Sequence, residues 1–140
     1  MSVTTALSVY TLIVLGGLVA STDSGLACPD WPLCNGQIFP SLTVNVLIEF
    51  LHRIWTIEVT VVVIVTMIMA WRLYKRMSRV TLFATLTFTL LLAQITLGML
   101  TVQTKTLPIV VTAHLGMATL VFASALITCM FSFISPGRVK

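Results

Sequence analysis

Hydrophobic positions along this chain gather into four long stretches, residues 3–21, 44–71, 80–102 and 107–134, separated by segments that hold most of the charge. The first 22 residues carry no charged side chain at all. A helix rises about 1.5 Å per residue, so about 20 apolar residues cross the hydrocarbon of a bilayer. Each stretch meets or nearly meets that length, and the two longest must tilt or protrude. The pattern predicts an all-α membrane protein, a single four-helix transmembrane domain over residues 1–140. The first stretch lacks basic residues ahead of its apolar run, and the run is long for a secretory signal, so it reads as a retained span.

Composition narrows the class further. Hydrophobic residues make up 58% of the 140 residues and charged residues 9%, against about 25% charged in soluble domains. Mean hydropathy is +1.07. This excludes a soluble enzyme and, with the opposite bias, a disordered chain. Three cysteines are too few for a disulfide scaffold or a zinc finger.

The net charge of +4 suggests nucleic acid only until its placement is read. Arg72, Lys75, Arg76 and Arg79 cluster between the second and third spans, and Arg138 and Lys140 follow the fourth. The opposite loops hold Lys105, Asp23 and Asp30. Lysine and arginine mark the cytoplasmic side, so both termini are expected inside, in a cell membrane, with no nucleic-acid partner. Trp71 and Tyr74 flank the basic loop, where interfacial aromatics sit.

The connection between the first two spans is then extracytoplasmic. It carries Cys28 and Cys34, and that side permits disulfides. Pro29 and Pro32 between them favour a tight turn. So small a ring adds little by loop entropy, which leaves open a simple clasp or a reducible, redox-active pair. Cys129, inside the fourth span, reads as an ordinary buried thiol. Pro108 suits the first turn of the last helix, and Pro136–Gly137 its end.

Ionisable groups inside a bilayer are costly, so each one points to function. The second span holds Glu49, His52, Arg53 and Glu58; the fourth holds His114; the third offers neutral groups such as Gln94 and Thr96. His52 and His114 are the only histidines. Counted from the outer ends of their spans they lie about 12 Å and about 10 Å deep. Two imidazoles at one level, on spans running in the same direction, can face each other across a bundle core and hold a metal centre. Two histidines suit a haem iron held from both faces and are too few for a zinc site. Spacing does not separate haem from copper.

Glu49, His52 and Arg53 are three and four residues apart and share one helix face. Glu49 sits one turn nearer the outside than His52, within reach of the edge of anything His52 binds. It reads either as a proton acceptor or charge stabiliser, or as the partner of Arg53 in a local ion pair. Arg53 also has the forked donors to bind a haem carboxylate. Glu58, nine residues beyond Glu49, points to the opposite side.

Four stretches then bring in a family. GGLVASTDSGLACPDWPLCNG (16–36), EFLHR (49–53), LGMLTVQT (97–104) and HLGMA (114–118) resemble haem A synthases, in family order and across most of the chain. The resemblance implies oxidation of a ring methyl of haem O to the formyl group of haem A, for terminal oxidases. It implies eight spans in two four-helix halves, each half with a histidine pair, one for the substrate haem and one for haem b. Carried across, His52 and His114 are haem ligands, Glu49 is the catalytic carboxylate, and Cys28 and Cys34 are a redox-active or structural pair. This chain matches one half. A homo-oligomer in which two protomers replace the two halves is therefore expected, with haem O synthase and the terminal oxidase as further partners beside the lipid bilayer. Two other functions compete: a bis-histidine b-type cytochrome that carries electrons without altering haem, and a haem-free assembly protein.

Overall fold

The computed structural model describes residues 1–41, 43–74 and 78–134. Four helices run up and down: α1 Ser2–Ser21, α2 Val44–Leu73, α3 Arg79–Gln103 and α4 Pro108–Ile134. Each is long and apolar enough to cross a membrane. The protein is a multi-pass, all-helical membrane protein. Lys75, Arg76, Arg138 and Lys140, four of the six basic residues used to mark the cytoplasmic side, and the expected Pro136–Gly137 stop lie outside the described residues.

Local chemistry sets the helix ends. The Ser78 hydroxyl caps α3 by accepting from the Thr81 amide at 3.2 Å, which satisfies one of the free amides of a first turn. Pro108 opens α4, where its missing N–H costs nothing. Near the same end as the α3 cap, Arg79 lies over the Phe131 ring at 5.2 Å. Trp71 Nε1 donates to Thr85 Oγ1 and the Tyr74 hydroxyl to the Ser132 carbonyl. These contacts tie the basic end of the bundle together.

The helices pack as a ring. α1 touches α2 and α4, and α3 touches α2 and α4, so α2 and α4 face each other across the diagonal. One layer at mid-height draws on all four helices: Val9, Val59, Val63, Leu91 and Val121, with Trp55 and Phe88 against it. The outward faces are apolar too, with Leu7, Val14, Ile57, Val61, Leu82 and Leu120 all exposed. The buried positions instead include many small polar side chains, Thr5, Ser8, Thr66, Thr87, Ser124 and Thr128 among them. That inversion suits a bundle in lipid, where apolar burial no longer drives helices together and hydroxyl bonds between them help. Cys129, expected buried, is only partly so and is free.

Candidate functional site

The connection from α1 to α2 is built around one turn. Asn35 and Gly36 both have positive φ, 53° and 72°. Cys34 and Gln37 on either side exchange backbone hydrogen bonds at 3.1 and 3.0 Å. An Asn-Gly pair suits such a turn because it tolerates left-handed backbone. The Asp30 carboxylate locks it by accepting from the Asn35 and Gly36 amides at 2.6 and 2.8 Å. Those amides, Gly36 foremost, and the nearby Arg53 charge hold the Asp30 carboxyl below its ordinary range. The hydrogen-bonded turn thus sits at Asn35–Gly36, while the chain around Pro32 bends through a cis Trp31–Pro32 peptide. Cys28 and Cys34 are joined in a disulfide, as expected, and both are buried.

Arg53, on α2, reaches up into that loop. Its Nη1 donates to the carbonyls of Asp30 and Leu33 at 2.7 and 2.6 Å, and its Nη2 to the Cys28 carbonyl at 2.7 Å. Its Nε donates to Glu49 Oε1 at 2.8 Å. Four of its five N–H donors are therefore engaged by protein. The expected Glu49–Arg53 ion pair exists, and the same arginine clasps the disulfide loop. Glu49 is buried, 5% exposed. Its second oxygen accepts no hydrogen bond among the described residues.

The histidines fall where their depths predict. His52 is eight residues into α2 and His114 six into α4, about 12 Å and about 9 Å along helices that start at the same end. They lie on the diagonal pair, α2 and α4. Each imidazole rests on a glycine of a neighbouring helix. A Cβ at Gly16 on α1 would stand 3.3 Å from His52 Cε1, and one at Gly98 on α3 would stand 3.1 Å from His114 Cε1. Both Nδ1 atoms are buried without a partner. The amide nitrogen of Gln94, on α3, sits 3.3 Å from His114 Nε2. In that orientation the amide donates to the Nε2 lone pair, which puts the ring proton on the unpartnered Nδ1.

Orphaned ring nitrogens in a buried setting call for a ligand or a bound water. Two imidazoles at one level, on helices across the bundle diagonal, are the residues that would hold a haem iron here. No three His, Cys, Asp or Glu side chains among the described residues converge as a site for a bare metal ion. A metal held here therefore needs ligands of its own, as a porphyrin provides. Glu58 stands apart, as expected: its Oε1 accepts from Ser8 on α1 at 3.1 Å, and Oε2 is buried without a partner.

This arrangement meets an independent likeness. The profile of the COX15-CtaA family, described as cytochrome oxidase assembly protein, matches residues 1–44 and 41–136. The chain belongs to the COX15-CtaA family. Among curated relatives, the proteins named heme A synthase from Bacillus mycoides (strain KBAB4), Bacillus cereus (strain AH187) and Bacillus anthracis (strain A0248) are each 35% identical over 133 residues. The alignments cover 93% of this chain and 43% of each relative, so the chain spans less than half their length.

Within this COX15-CtaA chain the matched segments contain Cys28, Cys34, Glu49, His52, Arg53 and His114. The structure adds Gln94, Gly16 and Gly98, which sequence reasoning passed over as neutral groups or parts of longer stretches. A polar amide in an apolar span was the one available signal for Gln94. For the glycines the signal appears only when the partner helix is in place.

Proposed function

We propose that this COX15-CtaA protein takes part in haem A synthesis. The substrate is haem O, which His52 and His114 would hold through its iron, and the product is haem A. The reaction converts a ring methyl and one water into a formyl group, releasing four protons and four electrons. Bound haem supplies an iron able to pass electrons on. The chain's own residues supply the rest. The imidazoles, seated against Gly16 and Gly98, would hold the haem, and the apolar layer of Val9, Val59, Val63, Leu91 and Val121 would border its site on the inner side. The free oxygen of Glu49, one turn outward from His52, receives a proton or steadies positive charge at the ring edge. Arg53 has one N–H left for a haem carboxylate.

The observation that carries this reading is the depth-matched imidazole pair with orphaned nitrogens, beside a buried carboxylate with one free oxygen. One pair serves one haem. A second haem, haem b, takes a second pair from another copy of this four-helix unit, in a homo-oligomer. Haem O synthase and a terminal oxidase are the neighbours this reaction implies. The basic residues favour a topology with the Arg72–Arg79 connection on the cytoplasmic side of a cell membrane and the disulfide loop outside.

The test is conversion. Protein reconstituted with haem O, an electron acceptor and lipid yields haem A, identified by mass after extraction. Glu49→Ala lowers the yield while retaining haem. Equal yields from both would remove Glu49 from the chemistry. One finding favours a second reading, a bis-histidine electron carrier: the ion pair with Arg53 gives Glu49 a structural use that needs no reaction. Reversible haem redox chemistry with unaltered haem would select it.

A further inference from the structure

The ring closed by Cys28 and Cys34 turns three of its backbone carbonyls, those of Cys28, Asp30 and Leu33, onto one guanidinium. Carbonyls in so short a ring have no helix or sheet to satisfy them, and a fixed cation does so strongly. Only a planar fork delivers these bonds together with the one to Glu49. The Asp30 side chain faces the other way and secures the turn at Asn35 and Gly36. Ring, arginine and carboxylate are thus one connected hydrogen-bonded unit spanning the loop and α2.

We propose that Arg53 is the positioning residue for Glu49 and that the disulfide-closed ring is its receptor, so that opening the ring releases the Glu49 carboxylate. The ring acts on Glu49 through Arg53 and touches no reacting atom itself. This rests on the reading of Glu49 as the reacting carboxylate only for its effect on turnover; the physical coupling stands apart from it.

The test uses the whole chain in lipid nanodiscs. The infrared band of the Glu49 carboxylate, identified by its loss in Glu49→Gln, reports its hydrogen bonding. Exchange of the 34–37 amides reports the loop. Arg53→Gln shifts the Glu49 band and speeds loop exchange by about tenfold, the scale for a lost charged hydrogen bond. Cys28→Ser/Cys34→Ser does the same, and the combined variant does no more than either. If the serine variant fails to fold, a trialkylphosphine opens the ring in wild type: it gains the oxygen of one water, and the disulfide takes up two protons and two electrons to become two thiols. A Glu49 band unmoved by ring opening overturns the proposal, as does a band that moves on ring opening even in Arg53→Gln. In turnover, Cys28→Ser/Cys34→Ser lowers kcat about tenfold with KM for haem O unchanged. Failure of wild type to convert haem O sinks the proposed function, while the band and the exchange still decide the role of Arg53.

Discussion

The two ends of the bundle are built on opposite rules. At the end where α1 begins, polar side chains pair with one another: Ser2 with Ser132, Thr5 with Thr66 at 2.7 Å, and Thr87 with Ser124 at 2.9 Å. Each hydroxyl there has a partner, and the bonds join different helices. At the loop end the polar groups are larger, ionisable and incompletely matched. His52 and His114 each bury a ring nitrogen with no partner, and so does Gln94 with its amide oxygen. Satisfied polarity holds helices together; unsatisfied polarity, in a place where it is costly, marks where something else binds. The apolar layer around Val59 and Leu91 lies between the two ends, with Glu58 Oε2 beside it as an unpartnered group away from the loop end.

The sharpest way to break this contrast is to remove a ligand. His52→Ala or His114→Ala lowers haem retention by more than the ~10–100-fold typical of losing a mere supporting group at a metal site. The Soret absorption of protein purified after haem loading measures it. Ordinary retention in both variants would make the loop end another packing region. Next in size is a matched set of glycines. Gly98→Ala pushes a methyl onto His114 and costs roughly 1–3 kcal/mol by overpacking, with a changed haem spectrum. Gly17→Ala, which meets nothing within 4 Å, is neutral or gains up to about 1 kcal/mol from helix propensity. Equal effects at the two positions would show that the imidazole seat is not selective.

At the other end, Thr66→Val takes away the partner of Thr5 on α2, leaving its bond to the Met1 carbonyl, and costs about 0.6 kcal/mol, the average for such membrane hydrogen bonds. Unfolding in mixed micelles measures the cost, and haem absorption stays unchanged. A loss of haem there would dissolve the distinction between the two ends.

The smallest effect is a pH dependence in the loop. The Asp30 carboxyl is held below its ordinary value of 3.8. Its support for the Asn35–Gly36 turn is therefore complete above that value and is lost as pH falls through the lower folded one. Exchange of those two amides, corrected for intrinsic rates, accelerates only on the acid side. Asp30→Asn abolishes the dependence; its persistence in that variant would assign the effect elsewhere.

Much of the site was legible residue by residue. His52 and His114 stood out because imidazoles are rare and costly in apolar spans, and their depths follow from counting. Glu49 and Arg53 were readable as a pair because i,i+4 spacing is a property of one helix. The second use of Arg53 was not. Its acceptors are backbone carbonyls 20 to 25 residues away, and every residue type carries a carbonyl. The Asn35–Gly36 turn was readable in principle, since that dipeptide favours left-handed backbone, yet the two prolines drew attention first. Gly16 and Gly98 were visible as letters and silent as to purpose, because what a glycine makes room for belongs to another helix.

The sequence by itself determined that this is a helical membrane protein with four spans, and which few polar groups the bilayer must accommodate. Transfer of a side chain into lipid is a local cost, written in composition and order. Only the tertiary structure decided which of those groups are answered: a hydroxyl met by a hydroxyl, a guanidinium by a cup of carbonyls, an imidazole by a glycine with one ring nitrogen left over. Such pairings depend on distances between helices, and no single stretch of chain contains them.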